Sequence, residues 1–272
     1  MDFSDDQIER YARHIILRDI GGAGQQALLN AKVLVIGAGG LGSPLLMYLA
    51  AAGVGTIGII DDDEVSLSNL QRQILHTTPD IGRQKVDSSR SAIAKLNPDV
   101  SVIPYDDRLD ASNALEIISQ YDVVADGSDN FATRFLVNDA CHLARVPLVF
   151  AAIGQFEGQL STFKAFESDA DGNPYPCYRC LFPAPPAEGL VPSCAEAGVL
   201  GALAGVMGAL QGVEVIKEII GIGETMAGRL LIYDALSTRM RTIRLKPDNS
   251  CSLCGPDATI SDLSSHMAEA AQ

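Results

Sequence analysis

Short apolar runs rich in β-branched residues alternate with longer stretches whose apolar positions recur at helical spacing through the first part of this 272-residue chain. The runs 33–36, 56–60, 100–103, 122–125 and 148–151 predict buried strands, and the stretches 41–52, 84–96, 111–119 and 133–144 predict helices. Strand and helix in alternation imply a parallel sheet with helical crossovers. An earlier helix is predicted over 8–17, opened by Ser4 and Gln7 at capping-box spacing.

After Gly158 the pattern changes. Residues 159–166 alternate as a half-exposed strand does, and a proline-rich passage over 173–192 predicts an ordered crossover segment. The stretch 197–221 is apolar enough to raise the question of a membrane span. Gln211, Glu214, Lys217 and Glu218 answer it, because they recur at helical spacing and mark a core helix with one polar end. The runs 229–233 and 240–245 resemble an antiparallel pair, and the small, polar residues beyond Gly255 are expected to fray. The fold class is α/β, a Rossmann-like doubly wound and mostly parallel sheet with an antiparallel C-terminal extension.

Composition narrows the partners. A hydrophobic content of 47% supplies a core, and a formal net charge of -14 argues against a generic nucleic-acid binder, whose phosphate contacts need clustered Lys and Arg. The opening residues carry neither a basic nor an apolar leader region, so the expectation is a cytoplasmic enzyme that acts on small molecules or proteins.

Gly37-x-Gly39-x-x-Gly42 directly follows the first predicted strand and opens a helix. Glycines let the backbone approach phosphate closely, and the helix N-terminus offers unpaired N–H groups with partial positive charge. Asp61 ends the next strand, where a carboxylate takes ribose hydroxyls. Taken alone this is equally an NAD fingerprint. Arg72 and Lys85 in and after the polar loop 61–73 favour triphosphate chemistry, since cations neutralise charge developing on departing pyrophosphate; the alternative is a pair of solvated surface cations. Asp129 follows a strand end and is a candidate for Mg²⁺.

Six cysteines divide into two Cys-x-x-Cys pairs, Cys177 with Cys180 and Cys251 with Cys254, plus Cys141 and Cys194. Four thiolates in this pattern predict one structural Zn²⁺ with no open position; a redox pair is the alternative. Cys141 sits in an apolar helical pattern and reads as buried packing. Cys194 falls in the irregular segment before the long helix, where a thiol of lowered pKa acts as a nucleophile.

These linked motifs, together with the stretch 10–17 and the sequence Asp126-Gly-Ser-Asp-Asn130, resemble the MoeB/ThiF/HesA family of ubiquitin-activating-enzyme-like adenylyltransferases, most closely its MoeB branch. The resemblance covers nearly the whole chain. It implies a single adenylation domain over 1–272: a helical arm over 1–30, a nucleotide-binding core over 31–166, a crossover loop, long helix and zinc-bound part over 167–255, and a flexible tail over 256–272. It implies ATP with Mg²⁺, adenylation of the C-terminal glycine of a ubiquitin-like sulfur-carrier protein ending in Gly-Gly, release of pyrophosphate, and later thiocarboxylate formation with sulfur from a separate donor protein. Molybdopterin biosynthesis is the favoured pathway, with the thiamin pathway or another sulfur carrier as the alternative. By the same resemblance Gly37, Gly39, Gly40 and Gly42 lie at the phosphates and Asp61 at the ribose. Ser68, Asn69, Arg72 and Lys85 surround the triphosphate, Asp129 holds magnesium, and Asn130 lies beside it. Arg13 enters the neighbouring subunit's site in a homodimer, and Cys194 matches a crossover-loop cysteine that links to the carrier in some members and is dispensable in MoeB-type ones. Neither a nucleic acid nor a membrane is an expected partner. Two rivals from other classes are an NAD-dependent oxidoreductase, which leaves Arg72, Lys85 and Asp129 unused, and a zinc-stabilised scaffold that binds without chemistry.

Overall fold

The computed structural model describes residues 3–186 and 197–269. Five strands form the parallel part of the sheet: β1 (Lys32–Ile36), β2 (Thr56–Ile60), β3 (Ser101–Tyr105), β4 (Val123–Asp126) and β5 (Leu148–Ile153). Three more add antiparallel: β6 (Glu157–Phe163), β7 (Arg229–Asp234) and β8 (Arg239–Arg244). The order is β3-β2-β1-β4-β5-β6-β7-β8, so the direction of winding reverses between β1 and β4. In a doubly wound sheet that reversal opens a crevice at the C-terminal strand ends.

Helices cover both faces. On one lie α2 (Gly21–Asn30), α3 (Gly42–Ala52), α4 (Lys85–Leu96) and the long α8 (Gly201–Ile220), packed over Val33, Val35, Ile57 and Ile59. On the other lie α5 (Ala114–Ile118), α6 (Phe131–Ala144) and the single turn α7 (Tyr178–Leu181), over Leu34, Ile36, Val124 and Phe150. Central parallel strands are therefore apolar on both faces, and their sequences run as unbroken apolar stretches instead of alternating. The first helix, α1 (Asp5–Ile15), carries the predicted capping box at Ser4 and Gln7. Among the described residues no helix is long and apolar enough to cross a membrane.

Three expectations change. The segment read as a half-exposed strand is β6, buried from Leu160 to Phe163, because the sheet extends past it and both of its faces are covered. Met207 of α8 lies so close to Gly158 that a Cβ there would stand 2.4 Å from its Sδ, while Tyr178 packs on Phe163 with ring centroids 5.7 Å apart. The N-terminal arm holds a second helix, α2, whose glycines obscure its period; Gln25 anchors it by donating to the Ala52 carbonyl at 2.9 Å. The described part of the tail beyond Gly255 is docked: Leu263 is buried, and His266, on α9 (Ser264–Glu269), lies 2.8 Å from the Asp139 carboxylate.

Candidate active site

The crevice between β1 and β4 contains a cavity of about 480 Å³. The loop after β1 forms its floor. Gly37 has φ +87°, a conformation that L side chains resist, and a Cβ at Gly42 would lie 2.0 Å from the Gly37 carbonyl oxygen. Both glycines are therefore required for the turn into α3. Gly37, Gly39 and Gly40 line the cavity, whereas Gly42 packs beneath the loop as the first residue of α3.

Asp61, at the end of β2, accepts from the Ala38 amide at 2.7 Å and from the Asp63 amide at 3.0 Å. Burial raises its carboxyl above the usual range, opposed by the nearby Lys85 and these two amides. Lys85, the first residue of α4, is buried and reaches Asp63 at 2.5 Å and Asp61 at 3.5 Å. Lys85 is thus held at the cavity edge by two carboxylates, which sets aside the alternative of a solvated surface cation. Asn69 and Arg72 come from the intervening loop, where Arg72 donates to the Ser68 carbonyl at 3.2 Å. Asp129 and Asn130 approach from the end of β4; the Asn130 side chain accepts from the Thr133 amide at 2.8 Å and caps α6. The Asp129 carboxylate is exposed, makes no hydrogen bond or ion pair among the described residues, and repels the buried Asp126 carboxylate.

Most of the expected nucleotide residues therefore converge. Ser68 does not line the cavity: its carbonyl accepts from Arg72, and its hydroxyl lies 3.0 Å from that of Ser66. Arg13 is exposed on α1 and is not part of the cavity wall. Cys194 lies outside the described residues.

The structure adds residues that the motifs do not mark. Gln73 lines the cavity. Gln211 of α8 donates to the carbonyls of Asp126 and Val149, at 2.8 and 2.9 Å, and so ties the ends of β4 and β5 together beneath the site. Arg134 donates to the Ser128 carbonyl at 3.0 Å and stacks over Phe131 and Phe150. It borders both the main cavity and an adjoining apolar annex of about 230 Å³ with Phe131, Phe150, Tyr178 and Phe182 in its walls. An arginine one turn into the helix that follows Asp129 is the only sequence signal for it.

The four paired cysteines meet away from this cavity, with all sulfurs within 4.8 Å of one another. Measured pairs span 3.4 Å for Cys180–Cys254 to 4.0 Å for Cys177–Cys180. Four sulfurs at about 2.3 Å from one centre stand roughly 3.8 Å apart, so the cluster has the dimensions of a closed tetrahedral S₄ site. Hydrogen bonding with Cys177 holds Cys180 and Cys251 below the ordinary thiol range, and bonding among the sulfurs pushes Cys177 above it. Arg179, between the first two ligands, makes paired bonds to Asp139 at 2.8 and 2.7 Å. Cys141 is buried, and burial drives its thiol well above its usual range, as packing without chemistry requires.

Comparison with known proteins places this arrangement in context. A model of the ThiF family matches residues 11–253. "Probable adenylyltransferase/sulfurtransferase MoeZ" of Mycobacterium tuberculosis is 53% identical over 247 residues, covering 91% of this chain and 62% of that protein. The chain thus spans about three fifths of the length of that relative. "Sulfur carrier protein adenylyltransferase" of Thermus thermophilus is 48% identical over 263 residues, covering 97% of this chain and 96% of that protein. Among solved structures, Escherichia coli MccB with AMPCPP and MccA superposes with a TM-score of 0.78 at 23% identity, covering 90% of this chain and 74% of that one, and shares the fold.

Proposed function

The chain belongs to the ThiF family, and from that membership we propose that it catalyses ATP-dependent adenylation of the C-terminal glycine carboxylate of a ubiquitin-like sulfur-carrier protein. The observation that carries this reading is the convergence of a phosphate loop, Lys85, Arg72 and Asp129 on one cavity. A carboxylate is a poor electrophile, and joining it to AMP supplies a good leaving group. The protein therefore needs to align carboxylate and α-phosphate and to stabilise the charge that develops, without a side-chain nucleophile.

In this reading the loop amides and the N-terminus of α3 receive the phosphates, and Asp61 takes the ribose hydroxyls. Lys85, Arg72 and Asn69 surround the departing pyrophosphate. The free carboxylate of Asp129 suits a hard cation, so it would hold Mg²⁺, whose chemistry is to neutralise phosphate charge. The apolar annex beside Arg134 suits the small C-terminal Gly-Gly tail of the carrier, with the guanidinium at the junction available to its carboxylate. The cysteine cluster would hold one structural Zn²⁺. Arg13, exposed and outside its own cavity, would complete the site of a second copy in a homodimer.

The relatives' printed names include a sulfurtransferase, and thiocarboxylate formation on a molybdopterin-pathway carrier is the step we place after adenylation. ATP–pyrophosphate exchange, measured with candidate carriers ending in Gly-Gly, tests the reading. Exchange that depends on one carrier supports it and names the pathway; no exchange with any carrier, from a folded protein that contains zinc, overturns it.

A further inference from the structure

A histidine that no sequence motif marks holds the glycine loop from beneath. His76 is 4% exposed. One ring nitrogen, Nε2, lies 2.9 Å from the Ala38 carbonyl oxygen, and the other, Nδ1, lies 2.8 Å from Ser88 Oγ. A carbonyl only accepts, so Nε2 carries a proton and donates to Ala38; in the neutral ring Nδ1 then accepts from the Ser88 hydroxyl. Burial lowers the basicity of the ring, and the nearby Lys85 adds to that effect against the pull of the Ala38 carbonyl, which favours the neutral form that this pattern requires.

Ala38 is held on its other side as well, its N–H donating to Asp61 at 2.7 Å. Both of its backbone groups are thus committed inside the protein. The chain contains no cis peptide among the described residues, and in a trans unit the C=O and N–H point in opposite directions. With the carbonyl of the 38–39 unit turned toward His76, the Gly39 N–H is turned the other way, toward the cavity that Gly39 lines. That N–H has no partner among the described residues.

We propose that His76 is a positioning residue for the phosphate loop: by fixing the Ala38 carbonyl it aims the Gly39 amide at a phosphate oxygen of the bound nucleotide. The identity of the ligand as ATP rests on the adenylation reading; the aimed amide itself suits any phosphoryl anion. Lys85 and Ser88 stand three residues apart on α4, so one helix supplies a cation to the cavity edge and, through His76, sets the orientation of the loop amide.

The test measures binding of ATP and of inorganic pyrophosphate separately, by calorimetry, in the wild type and in His76→Leu, His76→Gln and Ser88→Ala. Leucine removes the donor, whereas glutamine places a side-chain N–H near the former Nε2. His76→Leu is expected to weaken both ligands by roughly tenfold to a hundredfold, the range for losing one well-aimed charge-assisted hydrogen bond. In pyrophosphate exchange the KM for ATP should rise by a similar factor, with kcat changed by less than about threefold, as loss of uniform binding predicts. His76→Gln should recover most of the loss. Ser88→Ala, which frees the ring only at Nδ1, should weaken binding by about twofold to threefold.

Wild-type affinity in a folded His76→Leu protein, or equal loss in the leucine and glutamine variants, overturns the proposal. If the leucine variant does not fold, unchanged affinity in Ser88→Ala overturns it. A wild type that binds pyrophosphate but not ATP would defeat the adenylation reading while leaving the positioning role to be decided by the pyrophosphate affinities of the variants.

Discussion

The two ends of the sheet are held together by different forces. Around β1, β2 and β4, side chains such as Val33, Leu34, Val35 and Ile57 are wholly buried between two helical layers, and apolar burial dominates the packing of this part. Around β7 and β8 the sheet thins: β8 is exposed throughout, and the third apolar cluster has only Cys177, Cys251 and Leu253 as its buried members. There the chain relies on four converging sulfurs and on the Asp139 network that joins α6 to Arg179 and His266. The crevice between β1 and β4 stands on the apolar part. The cysteine cluster and ion network hold the flank from which Tyr178 and Phe182 reach the annex.

Metal removal challenges that contrast most strongly. Chelation, or Cys251→Ser with Cys254→Ser, should abolish binding of one zinc per chain, an interaction of roughly 10–16 kcal/mol in small zinc domains. Hydrogen exchange should then accelerate around α7 and the second cysteine pair while β1 and β4 stay protected. Equal loss of protection in both parts would break the comparison.

Asp139→Asn comes next, at about 3–5 kcal/mol of stability at pH 7, because Arg179 would be left without its buried partner. Burial opposes ionisation of Asp139, but hydrogen bonds from His266 and Arg179 outweigh it and hold the carboxyl below its usual range. A depressed folded pKa means that the stabilisation is present above the ordinary value of about 4 and is lost as pH falls through the folded value. Urea unfolding should therefore show the gap between wild type and variant shrinking as pH falls below about 4 towards the lower folded value; a gap that does not shrink over that fall would contradict the role of the ionised carboxylate.

Lys85→Met should lower carrier-dependent exchange by about 10²–10³-fold, the cost of losing one preorganised group that stabilises developing charge, with zinc content unchanged. Zinc loss in that variant would show that the two parts are more tightly coupled than their packing indicates. The smallest effect is expected for Cys141→Ala, about 1–2 kcal/mol from a small buried void, with unchanged exchange. The native wild-type thiol should resist a water-soluble thiol reagent.

Much of the apolar part is legible in sequence because its signals are local. The apolar runs, the spacing of Gly37, Gly39 and Gly42, and the acid at 61 each act within one strand–turn–helix unit. The meeting of the two cysteine pairs is legible too, since the Cys-x-x-Cys spacing within each suits two ligands of one centre. What escapes is fixed by contacts between residues distant along the chain. Nothing in the spacing of 76 and 38 reveals that a histidine ring supports a loop carbonyl. The full burial of β6 depends on α8 and β7 arriving later in sequence, so its alternating pattern misleads. Ser68 reads as a ligand by its position in a motif, yet its loop turns its side chain toward Ser66 at 3.0 Å. The tail reads as loose because it is polar, but one of its polar residues, His266, meets a buried carboxylate.

The last strand has a bearing on how the protein behaves at high concentration. The outer edge of a terminal strand presents unpaired N–H and C=O groups to another chain, and long, flat, apolar terminal strands seed polymerisation. No described strand pairs with the outer edge of β8, but three of its six residues, Arg239, Arg241 and Arg244, are arginine. A second copy approaching edge to edge would set like charges opposite one another, a repulsion that reaches about 8 Å at physiological ionic strength and contracts as salt is added. Colloidal stability at this edge is therefore an electrostatic property, greatest in dilute buffer and weakest in concentrated salt.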